Sequence, residues 1–209
     1  MNNENRKIRL GILLSGGGRT MVNLAEAMAR GALEAEIAVV VSSRTAVGGV
    51  ERARGLGFEP HIIRVKDHPN LAEFSTRIEA VLEEAQVDLV LLCGWLCRWQ
   101  IPLQYENKVM NIHPALLPSF GGKGMWGRHV HEGVLRRGCK VSGCTVHFVT
   151  NAYDAGPIIL QRVCVVEEGD DAETLAARVF EQECAAYPEA VRLFAEGRLE
   201  VKDGRVHIK

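Results

Sequence analysis

The sequence predicts an α/β fold: a Rossmann-like, mostly parallel twisted sheet flanked by helices, with an antiparallel pair of strands at its C-terminal edge. Two observations support this. In the first half, short apolar runs alternate with amphipathic stretches of helical spacing, the pattern of right-handed strand–helix–strand crossovers. In the second half, two longer strand-like stretches are separated only by residues 150–156, too few for a crossover helix.

The first half contains four strand-length apolar runs, and a helical pattern follows each of the first three. The predicted strands are 8–14, 37–41, 60–65 and 87–93, and the predicted helices are 21–32, 47–56 and 71–85. Ligands bind at the carboxyl ends of strands in such sheets. The loops after Leu14, Cys93 and Met110 are therefore expected to form the site.

The second half begins with a short predicted strand at 109–112. The antiparallel pair is predicted at 141–149 and 157–166, and a final helix at roughly 171–196, where Pro188 should end or kink its first part. No repeat, low-complexity tract or linker interrupts the chain. We therefore expect a single domain over residues 1–209.

Composition narrows the class of protein. Hydrophobic residues make up 47% and charged residues 24% of the 209, as in globular proteins. The net charge of −1 means that no overall positive charge is present to attract the phosphate backbone of a nucleic acid. Residues 1–7 are polar and do not resemble a signal peptide, and the longest apolar run, 87–93, is too short for a membrane helix of about 20 residues. We expect a cytoplasmic protein without membrane or nucleic-acid partners.

The six cysteines could in principle form disulfides or bind a metal ion. They are Cys93, Cys97, Cys139, Cys144, Cys164 and Cys184. None forms a Cys-x-x-Cys pair, and a cytoplasmic protein keeps its thiols reduced. Most lie among Leu, Val and Gly, where a thiol acts as a small apolar side chain. We expect no metal site.

A glycine-rich segment follows the first strand. Residues 15–20, Ser-Gly-Gly-Gly-Arg-Thr, lie between a buried strand and a helix, where exposed amides and the helix dipole favour an anion. The Gly-Lys-Ser/Thr of a Walker A loop is missing, and Met21 stands where the dinucleotide fingerprint has its third glycine. The segment predicts a phosphate site, with a plain tight turn as the alternative.

Three polar residues are candidates for chemistry. Asn111 and His113 are two apart on a strand, so both side chains point to one face and can donate to one developing oxyanion. Asp154 precedes Gly-Pro in a turn, and it would stabilise a protonated His113 if that turn packs against the strand. Structural roles for all three remain the alternative at this point.

The other histidines are weaker candidates. His129 and His131 are two apart on a predicted helix and diverge, with no third metal ligand evident, so a solvated or ligand-facing helix is expected. His147 is predicted to be a hydrogen-bonded strand histidine.

The motifs around these residues resemble those of the folate-dependent formyltransferases. Residues 111–118, Asn-Ile-His-Pro-Ala-Leu-Leu-Pro, are similar to the family's central motif. Residues 142–149, followed by Asp154-x-Gly156-Pro157-Ile-Ile-Leu-Gln161, are similar to its second motif. The resemblance extends from the glycine-rich segment to residues 197–199. It implies the formyltransferase fold, with a phosphate- and nucleotide-binding half at 1–105 and a folate-binding catalytic half at 106–209.

The resemblance also implies an activity. The expected reaction transfers the formyl group of 10-formyltetrahydrofolate to the glycinamide amine of 5-phosphoribosyl glycinamide in purine synthesis, without a metal or a covalent intermediate. Asn111 and protonated His113 would stabilise the tetrahedral oxyanion, and Asp154 would hold His113 charged and order a water that relays protons. Only these small molecules are expected as partners, for a monomer or homodimer.

Binding roles follow from the same resemblance. The loop Gly18-Arg19-Thr20 would hold the ribose 5-phosphate, and Glu183 would contact the glycinamide group. The folate residues would be Trp95, Leu96, Cys97, Arg98, Val149, Thr150 and Asn151. The chain departs from the family with Arg19-Thr20 in the phosphate loop, with a rearranged stretch at 94–100, and with a longer, glycine-rich segment at 121–127, interpreted as a mobile lid.

Three alternative functions are compared with this one, two enzymatic and one non-catalytic. A formyltetrahydrofolate deformylase would use water in place of the amine, but usually carries an additional N-terminal domain. A methionyl-tRNA formyltransferase shares the Asn-x-His core but carries a C-terminal RNA-binding domain. A non-catalytic nucleotide-binding module is expected to lose at least one member of the trio Asn111, His113 and Asp154, and all three are present. The transferase hypothesis is preferred.

Overall fold

The computed structural model describes residues 6–209. Most of the polar stretch 1–7, from which no signal peptide was predicted, therefore lies outside the described residues. Within 6–209 no helix is long and apolar enough to cross a membrane. The chain divides into two compact units, Met1–Val109 and Met110–Lys209. The prediction of one domain with halves at 1–105 and 106–209 stays a prediction.

Parallel strands and three helices form the first unit. The strands are β1 (Ile8–Leu14), β2 (Ala35–Ser42), β3 (His61–Ile62) and β4 (Leu89–Leu92), and the helices are α1 (Arg19–Ala29), α2 (Gly48–Gly55) and α3 (Leu71–Glu84). Strand β1 pairs in parallel with β2 and β4, and β2 pairs in parallel with β3. The predicted alternation of strands and helices is confirmed.

Burial explains why these segments fold as they do. All four residues of β4 are buried, and so are the last five of β1, because helices cover the sheet. Helix α3 begins after Asn70, whose side chain accepts from the Glu73 amide, and it buries Phe74 and Ile78. Strand β3 is shorter than predicted, since a 3₁₀ turn at Val65–Asp67 follows it and Arg64 pairs with Asp67 there.

The second unit is antiparallel. It contains β5 (Val109–His113), α4 (Arg128–Arg136), β6 (Val141–Phe148), β7 (Ile158–Val165), α5 (Ala172–Ala195), β8 (Leu199–Lys202) and β9 (Arg205–Ile208). Strand β6 pairs antiparallel with both β5 and β7, as predicted for the pair β6–β7. Hydrogen-bonded neighbours give one seven-stranded order, β3-β2-β1-β4-β5-β6-β7, so the predicted fold class is confirmed. The hairpin β8–β9 was not predicted.

Of the two effects predicted for Pro188, the ending of helix α5 is wrong and the kink stays a prediction. The helix continues through Pro188, and it begins with a capping box in which Asp171 accepts from the Glu173 and Thr174 amides. Buried residues flank the proline on both sides, including Tyr187 and Val191. Packing of this face outweighs the backbone hydrogen bond that a proline lacks.

Candidate active site

Loops at the carboxyl ends of the parallel strands meet at Ser15 in the first unit. The Ser15 amide donates to the Gly94 carbonyl at 3.1 Å, and its hydroxyl accepts from the Leu96 amide at 2.9 Å. The Ser43 hydroxyl, after β2, donates to the Ser15 hydroxyl at 2.7 Å. The loops after Leu14 and Cys93 are thus fixed to each other at the edge where the sequence predicted a ligand site.

The glycine-rich loop leads directly into α1. Gly18 has φ of +74° and precedes Arg19, the first helical residue, and among residues 6–209 no side chain caps this helix. First-turn amides point out of a helix and carry its positive partial charge, so the loop and Arg19 and Thr20 present donors suited to an anion. The phosphate role of Gly18, Arg19 and Thr20 stays a prediction supported by this geometry.

The predicted folate segment of the first unit is only partly accessible. The Trp95 ring is buried and stacks on Phe74 at a centroid distance of 6.1 Å. Leu96 and Arg98 are exposed, and Cys97 is half-buried. A folate contact in this segment would therefore use its main chain and Leu96 more readily than the indole face. In the second unit, Val149 is half-buried while Thr150 and Asn151 are exposed in the turn after β6.

Asn111 is paired across the sheet with a histidine that the sequence did not place in the site. Asn111 on β5 lies opposite His147 on β6, and its Nδ2 lies 3.2 Å from His147 Nε2. His147 Nδ1 lies 2.8 Å from the Phe148 carbonyl oxygen, which can only accept. Nδ1 therefore carries the proton and Nε2 accepts from Asn111. Burial lowers the pKa of His147, in agreement with this neutral form.

His113 is oriented by the main chain of the loop that follows it. The ring is buried, and its Nε2 lies 2.8 Å from the Phe120 carbonyl oxygen, to which it donates. Nδ1 faces Asp154, whose Oδ2 is 3.7 Å away. The turn bearing Asp154 thus packs against β5, the contact on which the sequence prediction depended.

Asp154 lies between two imidazoles. Its Oδ2 accepts from the Gly122 amide at 2.8 Å, and its Oδ1 is 3.8 Å from His147 Nε2. The residue has φ of +49°, a left-handed conformation that aspartate tolerates better than most residues. Gly156 fixes the same turn, because a Cβ there would lie 1.8 Å from the Phe148 carbonyl oxygen. The carboxylate is therefore directed by backbone geometry and by one amide.

Two polar side chains of the second motif hold the segment after His113. The Thr145 hydroxyl donates to the Ala115 carbonyl at 2.7 Å and accepts from the Leu117 amide at 3.0 Å. Gln161 Nε2 lies 3.0 Å from both the Leu117 carbonyl oxygen and the Thr145 hydroxyl. Thr145 and Gln161 thus link β6 and β7 to the central motif, which explains why the two motifs occur together.

On helix α4 His131 is buried, so it is not solvated, and the ligand-facing alternative stays a prediction. His129 is exposed, but His131 is 4% exposed, and within the described chain its Nδ1 has no hydrogen-bond partner. Burial and the charge of His113 lower the pKa of His131, which places it close to the catalytic candidates. The hydrophobic pattern of α4 turns this histidine inward together with Val130 and Val134.

The second unit also contains Glu183 and four of the six cysteines. Glu183 is half-buried on α5, and its charge adds to the effect of burial in raising the pKa of Cys144 to about 12. All six cysteines are free thiols. Between residues 6 and 209 no group of three or more His, Cys, Asp or Glu side chains is arranged to hold a metal ion. The glycinamide contact of Glu183 stays a prediction.

The chain belongs to the formyl transferase family, whose model matches residues 8–191. The cluster of Asn111, His113 and Asp154, of which His113 is buried, lies inside that range. Over its whole length the chain is similar to glycinamide ribonucleotide transformylase 1 from Symbiobacterium toebii, with 39% identity, a TM-score of 0.91, and coverage of 100% of this chain and 99% of that one. It is also 35% identical to the chloroplastic phosphoribosylglycinamide formyltransferase of Arabidopsis thaliana, covering 98% of this chain and 71% of the relative.

Larger relatives contain a similar segment as one part of their length. The chain is 38% identical to the trifunctional purine biosynthetic protein adenosine-3 of Gallus gallus over 95% of its own length, but it spans only 19% of that protein. A formyltetrahydrofolate deformylase from Pseudomonas syringae has a TM-score of 0.86 at 24% identity, with 97% of this chain and 66% of that one covered. The comparison with the deformylase shows a shared fold alone, whereas the comparison with the Symbiobacterium toebii transformylase also shows similarity of sequence.

Proposed function

We propose that this chain transfers the formyl group of 10-formyltetrahydrofolate to the glycinamide amine of 5-phosphoribosyl glycinamide, giving formylglycinamide ribonucleotide and tetrahydrofolate. The observation that carries the proposal is the convergence of Asn111, His113 and Asp154 around one site, with His147 fixing the amide of Asn111. The likeness to glycinamide ribonucleotide transformylases over the full chain supports the choice of acceptor.

The mechanism assigns the oxyanion to two donors. The amine attacks the formyl carbon and the carbonyl oxygen becomes negative. Nδ2 of Asn111 carries two hydrogens, one of which binds His147, so the second is left to donate to the oxyanion. His113 is held through Nε2, so Nδ1 is the nitrogen that donates when the ring is protonated.

Protons must move as the intermediate collapses. The attacking amine loses one proton and the folate nitrogen gains one when the carbon–nitrogen bond to folate breaks. Asp154 faces Nδ1 of His113 across 3.7 Å, beyond direct hydrogen bonding, and a water ordered by the carboxylate would carry the proton between the two nitrogens. The reaction needs no covalent bond to the protein.

The remaining predicted residues bind the two substrates. Gly18, Arg19 and Thr20 would hold the 5-phosphate through amides, and Glu183 would bind the glycinamide group. The residues proposed to contact folate are Trp95, Leu96, Cys97, Arg98, Val149, Thr150 and Asn151. Only small-molecule partners are proposed, in a cytoplasmic monomer or homodimer.

A parallel assay separates the transferase from its nearest alternative. Purified protein is given 10-formyltetrahydrofolate with and without glycinamide ribonucleotide, and release of tetrahydrofolate is followed. Product that forms only with the nucleotide, and is lost in Asn111→Ala and Asp154→Ala, supports the transferase. Equal turnover without the nucleotide identifies water as the acceptor and replaces the proposal with a deformylase.

A further inference from the structure

The glycine-rich loop is docked against the first turn of α2. The Gly49 amide donates to the Gly16 carbonyl at 3.0 Å. A Cβ on Gly18 would lie 2.8 Å from the Gly49 Cα, and a Cβ on Gly49 would lie 2.6 Å from the Gly16 carbonyl oxygen. The two backbones therefore approach as closely as glycines permit.

Arg52 adds a side-chain contact one helical turn farther along α2. Its Nη1 donates to the Gly17 carbonyl oxygen. The guanidinium lies over both glycine segments, because a Cβ on Gly48 would be 2.8 Å from Nη1 and one on Gly17 would be 3.7 Å from it. Residues four apart share one helix face, so Gly48 and Arg52 meet the loop together. The guanidinium is exposed and makes this contact at the surface.

These contacts decide which way the loop amides face. In a trans peptide the carbonyl of one residue and the amide of the next point in opposite directions. The carbonyls of Gly16 and Gly17 both face α2. The amides of Gly17 and Gly18 are therefore turned away from α2, where they join the first-turn amides of α1 as donors.

We propose that Arg52 is a positioning residue for the phosphate of the nucleotide substrate. It holds the Gly17–Gly18 peptide in the orientation that presents its amide to the anion, and it acts through the loop. The inference rests on the proposed function only in naming the phosphate as that of a ribonucleotide. A loop that is fixed before binding does not lose conformational entropy when the ligand binds. The dissociation constant is therefore lower than it would be for a free loop.

Substitutions on α2 test this role against a matched control. Arg52→Met removes the donor, Arg52→Lys keeps one, and Arg54→Met changes an arginine of the same helix that is paired with Glu59. In Arg52→Met the KM for glycinamide ribonucleotide should rise about tenfold with kcat within about twofold of the parent, the scale of one charged hydrogen bond. Arg52→Lys should recover most of the loss, and Arg54→Met should match the parent.

A dephosphorylated substrate separates positioning from a general structural role. With the unphosphorylated glycinamide riboside, kcat/KM should be the same in the parent and in Arg52→Met, because no phosphate is present to meet the loop. An equal fall in kcat/KM for both substrates, or an unchanged KM for the ribonucleotide, would overturn the inference.

Direct binding keeps the inference independent of formyl transfer. Calorimetry with ribose 5-phosphate should show a dissociation constant about tenfold higher for Arg52→Met than for the parent. If the parent transfers no formyl group but this difference appears, the proposed function fails and the role of Arg52 stands. If transfer occurs but the two dissociation constants agree, the role of Arg52 fails and the function stands.

Discussion

Asn111 and His147 face each other across β5 and β6, with Asn111 Nδ2 3.2 Å from His147 Nε2. Because His147 Nδ1 donates to the Phe148 carbonyl, Nε2 is the acceptor and the Asn111 amide has one defined orientation. His147 therefore works as a positioning residue: it decides where the second amide hydrogen of Asn111 points.

Replacing His147 should lower kcat more than it raises KM. In His147→Leu the part-buried amide of Asn111 loses its acceptor and its orientation, at a cost of about 1–3 kcal/mol, so kcat should fall roughly tenfold to a hundredfold. In His147→Gln the side-chain oxygen can still accept, so the loss should be smaller. Steady-state kinetics at saturating folate measure both parameters.

The matched control for this experiment is His129→Leu on α4, an exposed histidine near Glu132. Its kcat should equal that of the parent. Should His147→Leu retain full kcat, or His147→Gln be as poor as His147→Leu, then His147 does not act by accepting from Asn111.

The negative charge of Asp154 is expected to contribute to catalysis separately from the orientation of the Asn111 amide. Asp154→Asn keeps an oxygen for the Gly122 amide but removes the negative charge facing His113, and kcat should fall on the order of 10²–10³. Asp203→Asn is the control, since Asp203 also has a left-handed backbone, with φ of +50° against +49° for Asp154, but lies in the exposed β8–β9 turn. A loss smaller than about tenfold in Asp154→Asn would remove the carboxylate from the proposed chemistry.

The sequence predicted those parts of the fold in which local pattern and burial agree. Strands β1 and β4 are buried on both faces, so their residues form continuous apolar runs that can be read directly. The pair β6–β7 was predictable because the connection is too short for a helix. Pro188 does not end α5, as one alternative of the prediction had it, since buried residues on both sides keep the helix continuous.

The site was only partly predictable because it depends on register. Asn111 and His113 share a face by the period of a strand alone, but His147 joins them only because β6 pairs with β5 in one particular alignment. His131 was expected on a solvated or ligand-facing helix, and only the packing of α4 shows that its ring turns inward. The Phe120 carbonyl and the Gly122 amide carry no side-chain signal that a sequence could reveal. The lid role of 121–127 stays a prediction.

The glycine at position 18 should be among the least replaceable in the chain. Gly18→Ala would force a Cβ into a residue with φ of +74° and against the Gly49 Cα, so the free energy of unfolding should fall by about 2–4 kcal/mol. In Gly16→Ala the new Cβ meets nothing within 4 Å, and stability should stay within about 1 kcal/mol of the parent. Urea denaturation of both variants measures this, and equal stabilities would refute the close docking of loop and helix.

The stability of the protein should fall as the pH drops below 6.5. Burial holds the pKa values of His131 and His147 below this ordinary value. Well above pH 6.5 both histidines are neutral in the native and the unfolded chain, so they add no pH dependence there. Below pH 6.5 the unfolded chain binds protons on these two histidines. The native protein binds them only at the lower pH that corresponds to its own pKa values. The free energy of unfolding therefore decreases by at most about 1.4 kcal/mol per pH unit for each histidine.

Non-titrating variants assign this slope to the two buried rings. Urea denaturation between about pH 7.5 and pH 5.5 should show a smaller decrease in His131→Gln than in the parent, because one of the two protons is no longer taken up on unfolding. His129→Gln, on the exposed side of the same helix, should keep the parent slope. If His131→Gln and the parent lose stability equally over this range, then His131 binds its proton as readily in the native protein as in the unfolded chain. In that case its unpartnered Nδ1 would be a donor beside His113, and the assignment of a neutral, buried imidazole at that position would be wrong.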